Sequence, residues 1–503
     1  DISLTMPSEL FLPKDYLNYR ALYKRSFYLA YLADQLIPIT KKNGLPVKIS
    51  YTYLNDDVLC PVLTLESIHT DNEADLSFHK TKFSINLIVA LPFGVFDAKK
   101  LLPDRNCIRV QSDADELPPT PYYNSAVLSL TTYDYYLKFL YANKKAADAF
   151  KDACTLGRLW LQQREFGSAI SKGGFGHFEF AILLSALLSG GGTNGNKILL
   201  HGFSSYQLFK GAIKYLATMD LRTGYLSFSS LIGDGASCKF NPDAGFNTPT
   251  LFDKTVKLNI LWKMTNASYQ DLRQTAANTL TLLNDVVFDR FDAILLQKVR
   301  LDSLKYDLLY LLEVTDEVEE SFGALEKITF ITLDNYIKHK LHSIFRIALG
   351  ERVSSLTITN KKTASTFPLA KRKPSSQHSK LYTIGVQLNP DECDKLVTKG
   401  PNDGDDVEVA KFRAFWGAKS SLRKFKDGTI QHCVVWTLER AEPLVSQIIR
   451  YCLGTHFHGS ASSILHSTTS FFNQRLPAPL TAPSGSQSIT STANYTLVKT
   501  SFD

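Results

Sequence analysis

Aromatic rings interleaved with cations can stack bases and hold phosphates, and one stretch of this chain is built of them. KFRAFWGAKSSLRKFKDGTIQHCVVW, Lys411 to Trp436, sets Phe412, Phe415, Trp416, Phe425 and Trp436 among Arg413, Lys419, Arg423, Lys424 and Lys426. The same mixture also suits an ordinary helix-turn-strand unit. Arg423, Lys424 and Lys426 read as alternating on a strand, with Lys424 and Lys426 on one face and Arg423 with Phe425 on the other. One face then packs and the other meets RNA or protein. Trp416 and Trp436 are large apolar groups that a small domain must bury. A second basic run, Lys371-Arg372-Lys373, lies in a polar stretch (363–379) that reads as a mobile loop. It is either solvated surface or a phosphate contact. Lys371, Arg372, Lys373, Arg423, Lys424 and Lys426 are therefore the candidate RNA or partner contacts.

Other motifs carry less. GGGTNGNK, Gly190 to Lys197, departs from a phosphate-binding loop: Asn196 precedes the Lys, Ile198 follows it, and a helix comes before it rather than a strand. It reads as a flexible helix-helix loop. His456 and His458 near Cys452 have no second ligand cluster, so a solvated loop is expected rather than a metal site. Asp56 and Asp57 follow a strand in an Asn-Asp-Asp turn, and turn formation accounts for them. Trp160 with Arg164 one turn on reads as a helix face packing against the preceding domain. The seven cysteines form no C-x-x-C pair, which argues against a zinc ribbon and suits a reducing compartment.

Those residues need a scaffold, and 503 residues with 44% hydrophobic content can bury several cores. Lys plus Arg exceed Asp plus Glu by 56 to 49, a net +7, so nucleic-acid binding has to come from local patches. Phe180 to Leu188, the longest apolar run, is too short to span a bilayer, and no membrane partner is expected. The chain opens on Asp rather than Met and ends in a polar run, which reads as a piece of a longer protein.

Asp1 to Met6 alternates as a strand, Tyr16 to Leu36 is helical, and Val47 to Tyr53, Val62 to Ser67 and Phe83 to Leu91 are strands. Pro118, Pro119 and Pro121 make PPTPYYN a stiff connector with no helix. Helices are predicted over Ala146–Gln163, Phe178–Leu188, Tyr206–Ala217 and Thr265–Leu283. Phe291–Gln297 then reads as a strand, Leu333–Leu349 as a helix, Leu356–Thr359 and Leu381–Leu388 as strands, Val407–Trp416 as a short helix and Thr429–Trp436 as a strand. This order suits a small open-faced sheet with helices on one side. Ser484 to Ala493 reads as linker.

The literal form of the Lys411–Trp436 segment resembles the signature of the nucleolar RNA-associated protein (Nrap) family: an FR-FWG block, an L-R-[KR]-F-[KQ]-D-G block, then a VVW strand. DISLTMPSELFLPKDYLNYRALYKRSFYLAYLADQL is similar to the family's opening strand and K-R-x-x-Y-L-A-x-L-A helix, and PPTPYYN to its connector. GRLWLQQREF followed by GGFGHFEFAILLSALL resembles its second domain and the helical domain of poly(A) polymerases. The resemblance implies an α+β multidomain chain. A degenerate nucleotidyltransferase-like domain (1–132) leads to a poly(A)-polymerase-like helical domain (133–285) and a ferredoxin/RRM-like α+β domain (286–452). Residues 453–503 are linker and the start of a second nucleotidyltransferase-like repeat.

Nucleotidyl transfer needs divalent metals held by two carboxylates at i and i+2 of one strand and a third from a neighbouring strand. Asp1 matches the first position. Ser3 holds the second, and Ser84 and Asn86 the later strand's polar face; none of these three is anionic. The resemblance thus implies a pseudoenzyme with no catalytic residues, metal or cofactor. It further implies a scaffold subunit of the small-subunit processome, acting in pre-ribosomal RNA processing in the nucleolus. The implied partners are UtpC subunits, including an RNA-binding partner protein and casein kinase 2, and pre-ribosomal RNA. An active template-independent nucleotidyltransferase and a stand-alone RNA-binding module are the rivals. The first fails at Ser3, Ser84 and Asn86, and the second would need a stronger basic bias than +7.

Overall fold

The computed structural model describes residues 1–68, 83–109, 117–190, 197–230, 248–298, 306–360, 367–368, 381–402, 406–426, 428–437, 443–457, 490–492 and 495–497. The chain forms two compact units: residues 1–301 with 322–336 and 361–379, and residues 302–321 with 337–360 and 380–503. Among the described residues no helix is long and apolar enough to cross a membrane.

The first unit opens on a five-stranded sheet in the order Ile2–Thr5, Ser84–Ala90, Pro61–Ser67, Val47–Tyr53, Phe367–Pro368, parallel only at the first pair. Register gives its two faces opposite characters, as a period of two requires. Asp1, Ser3, Ser50, Thr52, Thr64, Ser84 and Asn86 share one face, while Leu63, Leu87 and Val89 share the other. Helix Arg20–Lys42 buries Ala21, Leu22, Arg25, Leu29 and Ala33, and it runs beyond the predicted end at Leu36, through Pro38.

PPTPYYN is not a helix-free connector. A helix spans Pro121–Ser129 with Pro121 at its first position, where the missing N–H has no intrahelical partner to lose and φ is already helical. The helix predicted over Ala146–Gln163 starts four residues later, as Phe150–Gln163, and a separate helix, Tyr133–Ala146, precedes it and ends as Ala147 turns extended. His177–Ser189 is buried almost all round, and Ser205–Thr218 and Asn266–Leu283 complete the helical layer. Phe291–Gln297 is not a strand. Asp292–Leu296 forms a π-helical turn closed by the Gln297 N–H on the Asp292 carbonyl at 2.8 Å. A short apolar run suits either form, and packing decided it: the Arg164 guanidinium donates to the Ile294 carbonyl at 2.8 Å.

In the second unit, Leu308–Glu313, Leu381–Leu388 and Val353–Asn360 form one antiparallel sheet with Leu381–Leu388 central. Val397–Asn402, Ile430–Val435 and Ser421–Lys424 form another with Ile430–Val435 central. Helix Leu333–Leu349, from residue 337 on, and helices Asp406–Trp416 and Leu444–His456 accompany them.

Candidate functional site

The sheet corner where a nucleotidyltransferase holds its metals is occupied by a hydrogen-bonded chain of mostly neutral groups. Asn86 Nδ2 donates to Asp1 Oδ1 at 2.8 Å, Thr64 Oγ1 donates to Asn86 Oδ1 at 2.9 Å, and Thr52 Oγ1 lies 2.6 Å from Thr64 Oγ1. Parallel pairing puts Asp1 beside Asn86 and Ser3 beside Ile88 on this face. Asp1 is satisfied by an amide, the other carboxylate of this face, Glu66, pairs with Lys48 at 3.3 Å, and hydroxyls and amides are poor replacements for charged ligands of Mg²⁺. A metal pair does not fit these residues. Among the described residues no group of three or more His, Cys, Asp or Glu could hold a metal ion. Sequence reasoning found Asp1 and Asn86 but missed Thr52 and Thr64, whose signal was their position on the polar alternation of two neighbouring strands.

Asp56 and Asp57 do more than close a turn. Asn55 and Asp56 adopt left-handed backbone (φ 54° and 60°), a conformation these short polar residues tolerate. The turn aims Asp56 at Ser171 Oγ and buries Asp57, whose Oδ1 accepts from Tyr122 Oη at 2.9 Å and Leu59 N–H at 3.0 Å. Burial raises the Asp57 carboxyl above its ordinary value of 3.8, against those hydrogen bonds and the charges of Lys263 and Arg25. A carboxyl raised in the folded state contributes fully below its unfolded pKa and loses that contribution as pH rises through the folded value. Asp57→Asn keeps the acceptor without the charge. Its stability relative to wild type should therefore improve from pH 4 to pH 7 in urea titrations, and an equal difference at both pH values would contradict this assignment. Asp57→Ala should cost roughly 1–3 kcal/mol by orphaning two buried donors.

Trp160 is fully buried and its Nε1 donates to Thr279 Oγ1 at 2.9 Å. Arg164 bonds to the Trp160 and Ile294 carbonyls. The pair therefore packs within the helical layer, on Asn266–Leu283 and the π turn, and not against the preceding domain. His456 is not in a solvated loop: it ends the Leu444–His456 helix and stacks on Phe415, centroids 4.3 Å apart. His458 and residues 191–196 of the glycine-rich stretch lie outside the described residues. The six described cysteines are free thiols.

Trp416 and Trp436 are both buried and meet edge-on, 5.9 Å between centroids, beside Tyr451, whose hydroxyl donates to the Trp416 carbonyl at 2.6 Å. Trp436 Nε1 donates to Thr398 Oγ1 at 3.3 Å. A Cβ on Gly400 would lie 3.1 Å from the Phe412 ring and 2.6 Å from the His432 carbonyl. Helix Asp406–Trp416 therefore covers the sheet face holding Thr398, Gly400, Val434 and Lys424. Arg423 is on the opposite face, exposed at its edge. The strand ends at Lys424, so Lys426 lies in the following turn rather than on Lys424's face. Arg423, Lys424 and Lys426 are all exposed. Lys371, Arg372 and Lys373 lie outside the described residues.

Residues 1–146 match Nrap protein domain 1, 149–298 the Nrap PAP/OAS-like domain and 302–458 Nrap protein domain 3. The chain belongs to the Nrap family. Its α+β fold includes the nucleotidyltransferase-like PAP/OAS type. This Nrap chain is 47% identical to U3 small nucleolar RNA-associated protein 22 of Saccharomyces cerevisiae over 100% of its own length and 43% of the relative's. It is 29% identical to Nucleolar protein 6 of Xenopus laevis, covering 91% of this chain and 39% of that protein. The chain thus spans about two fifths of the length of these curated relatives. Among solved structures, the Cid1 poly(U) polymerase aligns over 59% of this chain and 80% of that one at 11% identity, with a TM-score of 0.32.

Proposed function

We propose that this Nrap chain is part of a non-catalytic scaffold in small-subunit ribosome assembly, acting in pre-ribosomal RNA processing in the nucleolus. The observation that carries the non-catalytic reading is the Asp1–Asn86–Thr64–Thr52 chain, which spends the sheet's metal-facing groups on one another. The names of its relatives, a U3 small nucleolar RNA-associated protein and a nucleolar protein, support the setting. Within it the chain works as three successive domains, holding UtpC partners, casein kinase 2 among them, and precursor RNA in place. Lys371, Arg372, Lys373, Arg423, Lys424 and Lys426 are its proposed RNA or partner contacts.

Purified chain should add no nucleotide to RNA with Mg²⁺ or Mn²⁺, because a clamp for both reacting oxygens needs more than Asp1, bonded to an amide, and Glu66, paired with Lys48. Gel-resolved extension of a labelled oligonucleotide tests this. Extension that disappears on Asp1→Ala would overturn the reading.

A further inference from the structure

The face of the Val397–Asn402, Ile430–Val435, Ser421–Lys424 sheet that lies away from helix Asp406–Trp416 buries its central Cys433 and exposes its edges. Pairing of Lys399 and Ser421 with the same residue, Cys433, places Val397, Lys399, Arg423 and Val435 on this face, away from the helix. All four are exposed. Phe425 follows Arg423 by two, held at the hairpin end by its N–H on the Thr429 carbonyl at 2.8 Å. Its ring is half-buried, and the Lys399 ammonium sits 4.9 Å from its centroid. Among the described residues this strand face carries two cations and no carboxylate.

We propose that this face is a stacking platform for single-stranded RNA, with Phe425 as the ring and Lys399 and Arg423 as phosphate contacts. The proposal deepens the scaffold reading above and rests on it for the polymer expected. Two cations on opposite edge strands flanking one ring match a sugar-phosphate chain whose base turns inward to stack. The exposed cation–π contact of Lys399 is weaker than base-on-ring stacking. An incoming base can therefore displace the ammonium, which then swings to the adjacent phosphate. A fixed duplex offers no free base to such a platform. With one ring and two cations, binding should be weak and tolerant of sequence. An acidic protein segment would use the cations and ignore the ring.

The test is fluorescence anisotropy on the full chain with a 12-nucleotide single strand, its duplex, and a polyglutamate competitor. Phe425→Leu keeps apolar volume without a π-face and should weaken single-strand binding about 5- to 150-fold, the equivalent of 1–3 kcal/mol per stacked base. Phe425→Tyr should retain binding, which controls for folding. Lys399→Ala with Arg423→Ala should lower the log–log salt slope by about 1.4, at ~0.7 per contact. Undiminished binding by Phe425→Leu, equal affinity for duplex, or full displacement by polyglutamate with no dependence on the ring would overturn the platform. Nucleotide incorporation by the wild-type chain would instead overturn the non-catalytic reading and leave this comparison of variants standing.

Discussion

Trp416→Ala is expected to lose about 3–5 kcal/mol of stability, the usual cost of emptying a large aromatic site in a core. Trp416 is 1% exposed and packs on Trp436, Tyr451, Phe412 and Phe415 at once. No neighbouring side chain can collapse into that volume without leaving its own partners, so the upper half of the range is the better expectation. For a unit of 150–250 residues this corresponds to roughly 6–20 °C in Tm. Lys424→Ala and Lys426→Ala should stay within about 0.5 kcal/mol of wild type, because exposed charges contribute little. Thermal unfolding combined with a pull-down separates the roles. If Trp416→Ala melts normally yet loses RNA or partner binding, the tryptophan is a contact and not core.

Lys263→Ala should be comparably severe. Glu179 is fully buried; its Oε1 accepts from Lys263 Nζ at 2.9 Å, and its Oε2 from the Gly176 N–H at 2.9 Å and Ser168 Oγ at 2.5 Å. Lys263 Nζ also donates to the Ser168 carbonyl at 2.8 Å. Removing the cation leaves a carboxylate in the interior with no opposite charge, which costs roughly 3–5 kcal/mol. Replacing both partners, Lys263→Met with Glu179→Gln, should recover much of that loss, since a buried pair's attraction does little more than offset its desolvation. Urea midpoints for the two variants decide it. A single-mutant cost under about 1 kcal/mol would mean the pair behaves like a surface one.

The sequence announced these two centres unequally. The tryptophans were legible as core because a helix and a strand in a small domain have nowhere else to put them. Glu179 and Lys263 were not legible as a pair, because 84 residues separate them and only Glu179 lies in a motif, GGFGHFEFAILLSALL, which says nothing of its partner. Elements with clean periodicity, such as Val47–Tyr53 and Asn266–Leu283, came out close to prediction. The misses share a cause: a local rule with two outcomes that only context resolves. Pro121 was taken as a helix breaker when it starts one. The helix predicted from Ala146 begins at Phe150, because nothing at Ala147 marks the break from the helix before it. The apolar run at 291–297 had no period long enough to separate a strand from a turn. Lys424 and Lys426 were set on one face because alternation was carried one turn too far. At the Asp1–Asn86 corner the neutral residues were visible, but the bonds running from Asp1 across the neighbouring strands to Asn86, Thr64 and Thr52 were not.

That corner also bears on whether the change can be undone. A metal-binding strand pair lives with mutual repulsion among its carboxylates until cations arrive, so its folding is tied to ion supply. Here the Asp1 carboxylate is met by the Asn86 amide at 2.8 Å. Chelators should leave the melting curve where it is. The same arrangement works as a ratchet. Asn86→Asp would leave Thr64 its acceptor oxygen but replace the Nδ2 donor with a second anion against Asp1, so adding a carboxylate at this position is destabilising on its own. On the non-catalytic reading proposed above, installing a metal clamp at this corner would take several simultaneous changes.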